Sequence, residues 1–329
     1  MMPNDLDPNP FMRSKILLTG ATGFVGQNLA QALIKKNAAL ICSVRKPTHI
    51  IGADCRLVDD LSPSTDWRHC LDGVATVIHC AARVHVMQEK ANDPLQLFRQ
   101  INVAGTLQLA KQAATAGVKQ FIFLSSVKVN GEKTEIGSAF TEDCESQAID
   151  PYGISKFEAE QALFELGRNT GMAITVIRPP LIYGPGVGAN FLSMLGWVQR
   201  GIPLPLGTLQ NKRSFVFIDN LVSLILCCIQ NPRASNQVFL VSDGHDMSTT
   251  QLLKKSAASF GVSSRLLPCP AWLLILMATL LGKKAVADRL CESLQIDISK
   301  TSRILEWTPP YTVEQGLLAT TNYIIESQC

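Results

Sequence analysis

Along the first half of the chain, short apolar runs alternate with stretches in which apolar residues return every three or four positions. The first pattern suits a buried strand and the second a helix with one buried face, so their alternation predicts a parallel sheet with crossover helices. Strands are expected at 15–19, 39–44, 55–58, 74–80, 120–125 and 173–177. Helices are expected at 24–36 and 93–116. A third opens where Asp150 is suited to cap it and Pro151 to fill its first turn, and runs to about 166. Beyond Arg178 the pattern loosens into Pro- and Gly-rich stretches at 179–188 and 201–207, and a strand at 238–241 is expected to rejoin the main sheet. The order predicts an α/β chain: a doubly wound parallel sheet with a smaller α/β C-terminal lobe. No internal repeat is visible.

Composition narrows the classes. The chain has 329 residues, 47% hydrophobic and 17% charged, which excludes disorder as its overall state. A net charge of +3, with no basic run interleaved with aromatics, gives no support to a nucleic-acid partner. The ten cysteines are scattered without a CxxC pair, and with five scattered histidines they show no zinc-ligand spacing, so no metal is expected. Free thiols in a reducing compartment, hence a cytoplasmic protein, are the plain reading. The stretch 1–11 is polar and contains proline. It lacks the apolar core of a secretory signal and reads as a loose tail (1–12), with Met12 a candidate true start. The segment 271–281 (AWLLILMATLL) is strongly apolar but shorter than the roughly 17 residues a membrane span needs, and Pro270 and Gly282 bracket it like helix punctuation. A buried or partner-facing helix is the first reading, shallow membrane contact the second.

The run KILLTGATGFVGQNLA places Gly20, Gly23 and Gly26 between the first strand and the first helix. There the first glycine permits a tight turn, the second lets backbone approach a pyrophosphate, and the third lets helix and sheet pack closely. A Rossmann-type dinucleotide site follows, with 13–178 as the NAD(P)-binding domain (joined by the returning strand near 238–242) and 179–329 mainly binding substrate. The second strand ends ICSVRKP, with no acid to meet a ribose 2′-hydroxyl. Arg45, followed by Lys46, can instead meet a 2′-phosphate, which favours NADP(H) and still admits NAD(H); a solvated basic turn is the alternative. Asp60 and Leu61 sit where this fold holds an adenine.

Tyr152 and Lys156 lie four positions apart in YGISK, on one face of the helix that Asp150 opens. A free phenol titrates near 10; a neighbouring ammonium and a cationic nicotinamide lower that, about 1.4 kcal/mol per unit. With Ser125–Ser126 at the end of the fifth strand, the set suits proton exchange with a hydroxyl or carbonyl.

On these motifs, together with VIHCAA, INVAGT, FLSSVKVNG, RPPLIYGPG, RSFVFIDN and WTPPYTVEQGL, the chain resembles the extended short-chain dehydrogenases of the NAD-dependent epimerase/dehydratase group over nearly all of 15–325. The resemblance implies that Ser126 hydrogen-bonds the reacting oxygen, Tyr152 exchanges its proton, Lys156 tunes Tyr152, and Asn102 supports the relay geometry. It implies a cofactor lined by Gly20, Thr22, Gly23, Phe24, Gly26, Arg45, Asp60, Leu61, Ala81, Ala82, Tyr152, Lys156 and Pro179. Asn190 and Arg213 would grip a substrate diphosphate, against the plainer readings of a helix cap and a surface cation. His85 would face substrate, or serve simply as a polar loop residue. A homodimer through the long helices is implied by the resemblance alone.

Three departures refine this. Where 4,6-dehydratases of the group carry Asp and Glu after the catalytic serine or threonine, this chain has Val127 and Lys128, and valine cannot donate a proton. VNG stands for the usual VYG, and Leu181 replaces an asparagine that many sugar-nucleotide epimerases use. The segments ARVHVM and SLQIDISK look most like bacterial enzymes of surface-polysaccharide sugar synthesis. Two chemistries at C4 of a UDP-linked sugar follow. A 4-keto reductase fed by NADPH is preferred on Arg45, and a 4-epimerase with tightly held NAD is the alternative. A non-catalytic NADP-binding sensor is the reading from another class, disfavoured because Ser126, Tyr152 and Lys156 are all retained.

Overall fold

The structure, a computed structural model, describes residues 14–84, 93–135 and 137–328; the expected tail at 1–12 and His85 lie outside them. β1 (Lys15–Thr19) turns into α1 (Phe24–Lys35), followed by β2 (Leu40–Val44), β3 (Asp54–Leu57), α2 (Arg68–Leu71) and β4 (Val74–His79). Then come α3 (Pro94–Phe98), a π-helical stretch (Arg99–Gly105), α4 (Thr106–Thr115), β5 (Gln120–Leu124), α5 (Pro151–Thr170) and β6 (Ala173–Arg178). The C-terminal half adds β7 (Leu181–Tyr183), α6 (Ala189–Gln199), β8 (Phe215–Phe217), α7 (Ile218–Gln230) and β9 (Gln237–Leu240). It ends with α8 (Thr249–Ser259), α9 (Ala271–Leu280), α10 (Lys284–Cys291), α11 (Ser299–Leu305) and α12 (Val313–Glu326).

The seven-stranded sheet runs β3-β2-β1-β4-β5-β6-β9, and every pairing in it is parallel. The order reverses between β1 and β4, so the carboxyl ends of those two strands open the crevice where sheets of this kind bind ligands. Apolar side chains pack on both faces: Leu18, Leu29, Leu33 and Phe239 belong to one core and Leu17, Phe121, Phe123 and Leu163 to the other. A strand buried on both faces reads as an unbroken apolar run, which is why these strands were legible.

The C-terminal lobe is tied to this sheet by polar bonds. β7 and β8 form a separate two-stranded parallel sheet, not expected from sequence because LIY and FVF are too short to show a period. Asp243, just beyond β9, accepts from the Tyr183 hydroxyl at 2.8 Å, the Phe217 amide at 2.8 Å and the Asn220 amide at 2.7 Å. Asn220 in turn holds both backbone groups of Tyr311. The RSFVFIDN and WTPPY motifs thus act as the joint between sheet and lobe.

At Gly20 the backbone has φ +72°, and an added Cβ would lie 2.7 Å from the Ala81 nitrogen. At Gly26 an added Cβ would overlap the Gly20 carbonyl. Gly26→Ala is therefore expected to force the turn away from α1, at a cost of about 1–3 kcal/mol. A thermal melt should show the lowered midpoint, and the purified variant should retain less dinucleotide than the parent.

Candidate active site

The turn after β1 leads into α1 with Gly23 at the cap, no side-chain cap bond and no acidic residue in the first turn. The leading N–H groups and the positive end of the helix dipole are therefore left for an anion. Gly20, Thr22, Gly23, Phe24 and Gly26 build this cradle, and the Cβ overlaps above show that the turn closes against β4 and α1 only with glycine at positions 20 and 26. On these grounds the residues present fit a dinucleotide. Ala81, with Ala82 beside it, borders the cradle from the end of β4, the Ala81 amide donating to Thr19 Oγ1 at 3.3 Å.

Behind the cradle sits a residue to which the sequence assigned no role. His79, fully buried, bonds Thr19 Oγ1 through Nδ1 at 2.7 Å and Thr106 Oγ1 through Nε2 at 2.9 Å. Burial, reinforced by the Lys156 charge, pushes it down to about 3. It is a neutral strut linking β1, β4 and α4 beneath the switch point.

The expected adenosine end differs in one respect. Arg45 and Asp60 were assigned separate roles, but they form an exposed ion pair at 2.9 Å between the ends of β2 and β3. Both side chains are largely exposed, so the pair is weak and leaves Arg45 free to turn to a 2′-phosphate; it does not choose between NADP(H) and NAD(H). Leu61 packs under the π-helical stretch, where an added Cβ on Gly105 would come within 2.9 Å of it.

The residues expected to carry catalysis, Ser126, Tyr152 and Lys156, come together from the end of β5 and from α5. Asp150 caps α5, accepting from the Tyr152 and Gly153 amides at 3.1 and 3.2 Å, and so fixes where the Tyr152 ring leaves the helix. Lys156 is 2% exposed; its Nζ donates to the Leu124 carbonyl at 2.8 Å and lies 4.3 Å from the Phe123 ring centre and 5.9 Å from that of Tyr152. Burial pulls the Lys156 ammonium down to about 8, Cys80 and Glu160 opposing. Burial pushes the Tyr152 phenol up to about 12, the Asp150 charge adding to this and a Ser126 hydrogen bond opposing it. Phe98 meets the Tyr152 ring edge-on with centroids 6.2 Å apart.

Asn102 is buried and works through others. Its amide nitrogen donates to Ser155 Oγ at 3.0 Å and to the Arg83 carbonyl at 3.0 Å, while its oxygen accepts from the Arg83 amide at 2.8 Å. It therefore clips the loop after β4 to α5, a positioning role, from a π-helical stretch that no sequence period announces.

Sequence reasoning missed the buried network behind Ser126. Glu160, one turn beyond Lys156, forms a bidentate pair with Arg178, with Nε–Oε1 at 3.0 Å and Nη2–Oε2 at 2.5 Å, the two side chains 1% and 5% exposed. Glu160 also accepts from the Ser125 hydroxyl, and Arg178 Nη1 donates to Asn130 Oδ1 at 3.2 Å. Asn130, the residue that breaks the VYG pattern, closes the network by donating to the Thr141 carbonyl at 2.8 Å. Pairing of the β5 and β6 ends continues past the strands, from Ser125 N to Ile177 O at 2.8 Å and from Val127 N to Pro179 O at 2.9 Å. Ser126 is thus held between two anchored neighbours. Lys128, which stands where the resembling dehydratases carry a glutamate, is paired with Asp150 at 3.0 Å and Glu132 at 3.3 Å.

The residues assigned to the substrate diphosphate fare differently. Asn190 is exposed in the first turn of α6, and the cap there is Gly188. Arg213 is half-buried, its Nη1 donating to the carbonyls of Arg289 and Glu292 at 3.0 Å each. It closes the C-terminal end of α10, a structural use that the sequence did not suggest. Leu181 is 43% exposed. Among the described residues no group of His, Cys, Asp or Glu is arranged to hold a metal, and the nine described cysteines form no disulfide.

A nucleotide cradle at the switch point and a Ser-Tyr-Lys set on β5 and α5 define a short-chain-dehydrogenase-type enzyme. The model of the NAD dependent epimerase/dehydratase family matches residues 16–242, and the chain belongs to that family as an NAD(P)-dependent enzyme. It is 46% identical over 320 residues to UDP-glucose 4-epimerase of Vibrio cholerae, covering 96% of this chain and 97% of that one. It is 29% identical to N-acetyl-alpha-D-glucosaminyl-diphospho-ditrans,octacis-undecaprenol 4-epimerase of Escherichia coli O157:H7, covering 95% and 96%. Among solved structures, UDP-glucuronic acid 4-epimerase from Bacillus cereus in complex with NAD superposes with a TM-score of 0.75 at 22% identity, over 96% of this chain and 100% of that one. At that identity the likeness concerns the fold. No helix among the described residues is long and apolar enough to cross a membrane.

Two outcomes follow from the geometry. Glu160→Ala leaves Arg178 buried without its partner, and urea melts should show a loss of about 3–5 kcal/mol. Asp150→Asn keeps a capping side chain but removes the charge that raises the Tyr152 phenol. The ascending limb of the pH–rate profile, which reports formation of the Tyr152 phenolate, should then move to lower pH by about one unit.

Proposed function

We propose that this protein is a 4-epimerase of a UDP-linked hexose or N-acetylhexosamine that keeps NAD as a resident cofactor. The observation that carries this reading is the 46% identity, across almost the whole of both chains, to UDP-glucose 4-epimerase of Vibrio cholerae. The reductase, preferred on sequence alone, becomes the lesser reading.

When bound, NAD supplies reversible two-electron oxidation at the sugar C4. The chain supplies the proton chemistry. Ser126 hydrogen-bonds the oxygen at C4 and holds it towards the Tyr152 phenolate, which takes its proton on oxidation and, as the phenol, returns it on reduction. Near neutral pH the Lys156 ammonium, fixed on the Leu124 carbonyl, stabilises the phenolate that this exchange needs. Val127 offers no proton to a leaving hydroxyl, so the intermediate ketosugar is kept from eliminating water.

A second reading is favoured by one feature that a soluble substrate leaves unused, the outward apolar face of α9. It is epimerisation of a sugar carried on a polyprenyl diphosphate, the substrate type named for the 29% identical relative from Escherichia coli O157:H7.

Denaturing freshly purified protein should release NAD or NADH near one equivalent per chain. Incubation with UDP-glucose or UDP-N-acetylglucosamine should yield the 4-epimer without consuming NADPH, and Tyr152→Phe should slow this by about 10²–10⁴-fold. Cofactor-free protein that oxidises NADPH against a 4-keto UDP-sugar would return the assignment to the reductase. Turnover confined to a detergent-dispersed polyprenyl-diphosphate sugar would select the second reading.

A further inference from the structure

Helix α9 is apolar around its whole circumference, yet only Leu274 of its ten residues is buried. Leu274 plugs into a small core with Val198, Leu206, Leu253 and Cys269. The rest of the outer surface is open: Trp272 is 66% exposed, Leu276 50%, Leu280 80% and Leu281 74%, and Val286 of α10 adds 51%. Isolated exposed apolar residues need no explanation, but a cluster of this kind in one hairpin marks a surface meant to be covered.

We propose that the α9–α10 hairpin docks this enzyme on the surface of an anionic lipid bilayer, lying in the plane of the interface. Charge chooses between the occupants. From Ala271 to Cys291 the hairpin carries Lys283, Lys284 and Arg289 against a single acid, Asp288, and both lysines are exposed beside the turn that follows α9. A second copy of the chain would set this net positive charge against itself with only Asp288 to answer it, whereas anionic headgroups answer it directly. The distribution also fits an interface. A tryptophan stands at the start of the helix and lysines at its end, with long apolar side chains between, the arrangement that lets rings and ammonium groups sit at headgroup level while the aliphatic face enters the acyl boundary. Ten residues cannot span, so the contact is shallow.

The hairpin is not a loose flap. The C-terminal carbonyls of α10 are held by Arg213 Nη1, by Asn211 Nδ2 at 3.2 Å to Leu290 and 3.0 Å to Glu292, and by the Thr249 hydroxyl at 2.7 Å to Leu290. Docking the hairpin therefore orients the whole substrate-side lobe against the bilayer. The proposal does not rest on the epimerase reading, because vesicle binding needs no substrate.

The test is co-sedimentation of the full chain with phosphatidylglycerol-rich vesicles and with phosphatidylcholine vesicles, with tryptophan emission read alongside. The expected result is binding about tenfold or more tighter to the anionic vesicles, weakened by salt, with a blue shift that Trp272→Phe abolishes. The double variant Leu280→Glu, Leu281→Glu replaces two of the most exposed side chains, so its melting temperature and UDP-sugar turnover should match the parent while vesicle binding falls at least about tenfold. Lys283→Glu with Lys284→Glu should erase the preference for anionic lipid. No binding by the parent protein, or undiminished binding by the leucine variant, would overturn the proposal. So would a lipid-free dimer that the leucine variant dissolves, which would make this face a contact between copies, or capture of a specific acidic protein with no affinity for vesicles.

Discussion

The buried pair between Glu160 and Arg178 is the constraint on which the catalytic geometry rests. Two ions that are 1% and 5% exposed gain stability only when every polar atom around them is matched. Here the matching groups come from the segments that must meet: Ser125 at the end of β5, Arg178 at the end of β6, Glu160 on α5 and Asn130 in the loop beyond. Any slip of α5 along the sheet would strand a charge in the core. The helix that carries Tyr152 and Lys156 is therefore registered against the strand end that carries Ser126 by an all-or-none polar network. That is a stronger positional constraint than apolar packing, which tolerates sliding.

The same economy explains why a tyrosine can act as a base in this site. Burial opposes ionisation of both partners, raising the Tyr152 phenol to about 12 and lowering the Lys156 ammonium to about 8. Neither group is poised near neutral pH by itself. A bound dinucleotide's cationic nicotinamide would supply the missing field on the phenol, which would couple the proton chemistry to occupancy of the dinucleotide site. His79 is kept neutral in the same pocket by burial and by the Lys156 charge, and so adds no competing cation.

The fold was legible because its strands are buried on both faces and its first turn can be built only from glycine. KILLT, LICSV and VATVIH needed no tertiary information. The parts that escaped are those whose meaning depends on distant partners. Glu160 reads as one more charge on a helix, and Arg178 as the residue that ends a strand; their union appears only when β6 is laid beside α5. Arg45 and Asp60 are fifteen positions apart, but β2 and β3 are parallel neighbours, so both side chains emerge at the same sheet edge. Arg213 was read for its charge; in the structure its Nη1 also holds the carbonyls of Arg289 and Glu292 at the end of α10. Asn130 looked like a lapse from a motif and proves to be the outermost support of the Glu160–Arg178 pair.

Lys128 shows how substitution of one position can remove a chemistry and strengthen another feature together. An acid at this position would stand beside Asp150, the cap of α5, and two carboxylates there would repel and make the Tyr152 phenol still harder to ionise. A lysine instead neutralises Asp150 across 3.0 Å, so the cap survives in a half-buried setting and the loop after β5 is fastened to the start of α5. Together with Val127, which is 4% exposed and packed against Phe140, Leu240, Leu294 and Ile296, it turns what is a proton-transfer segment in the dehydratases into a structural hinge. What remains on the substrate side is the one hydroxyl–phenol relay of Ser126 and Tyr152. A site with a single relay can take a proton from an alcohol and give it back, and that restriction is what an enzyme must have if its ketosugar is to be returned rather than dehydrated.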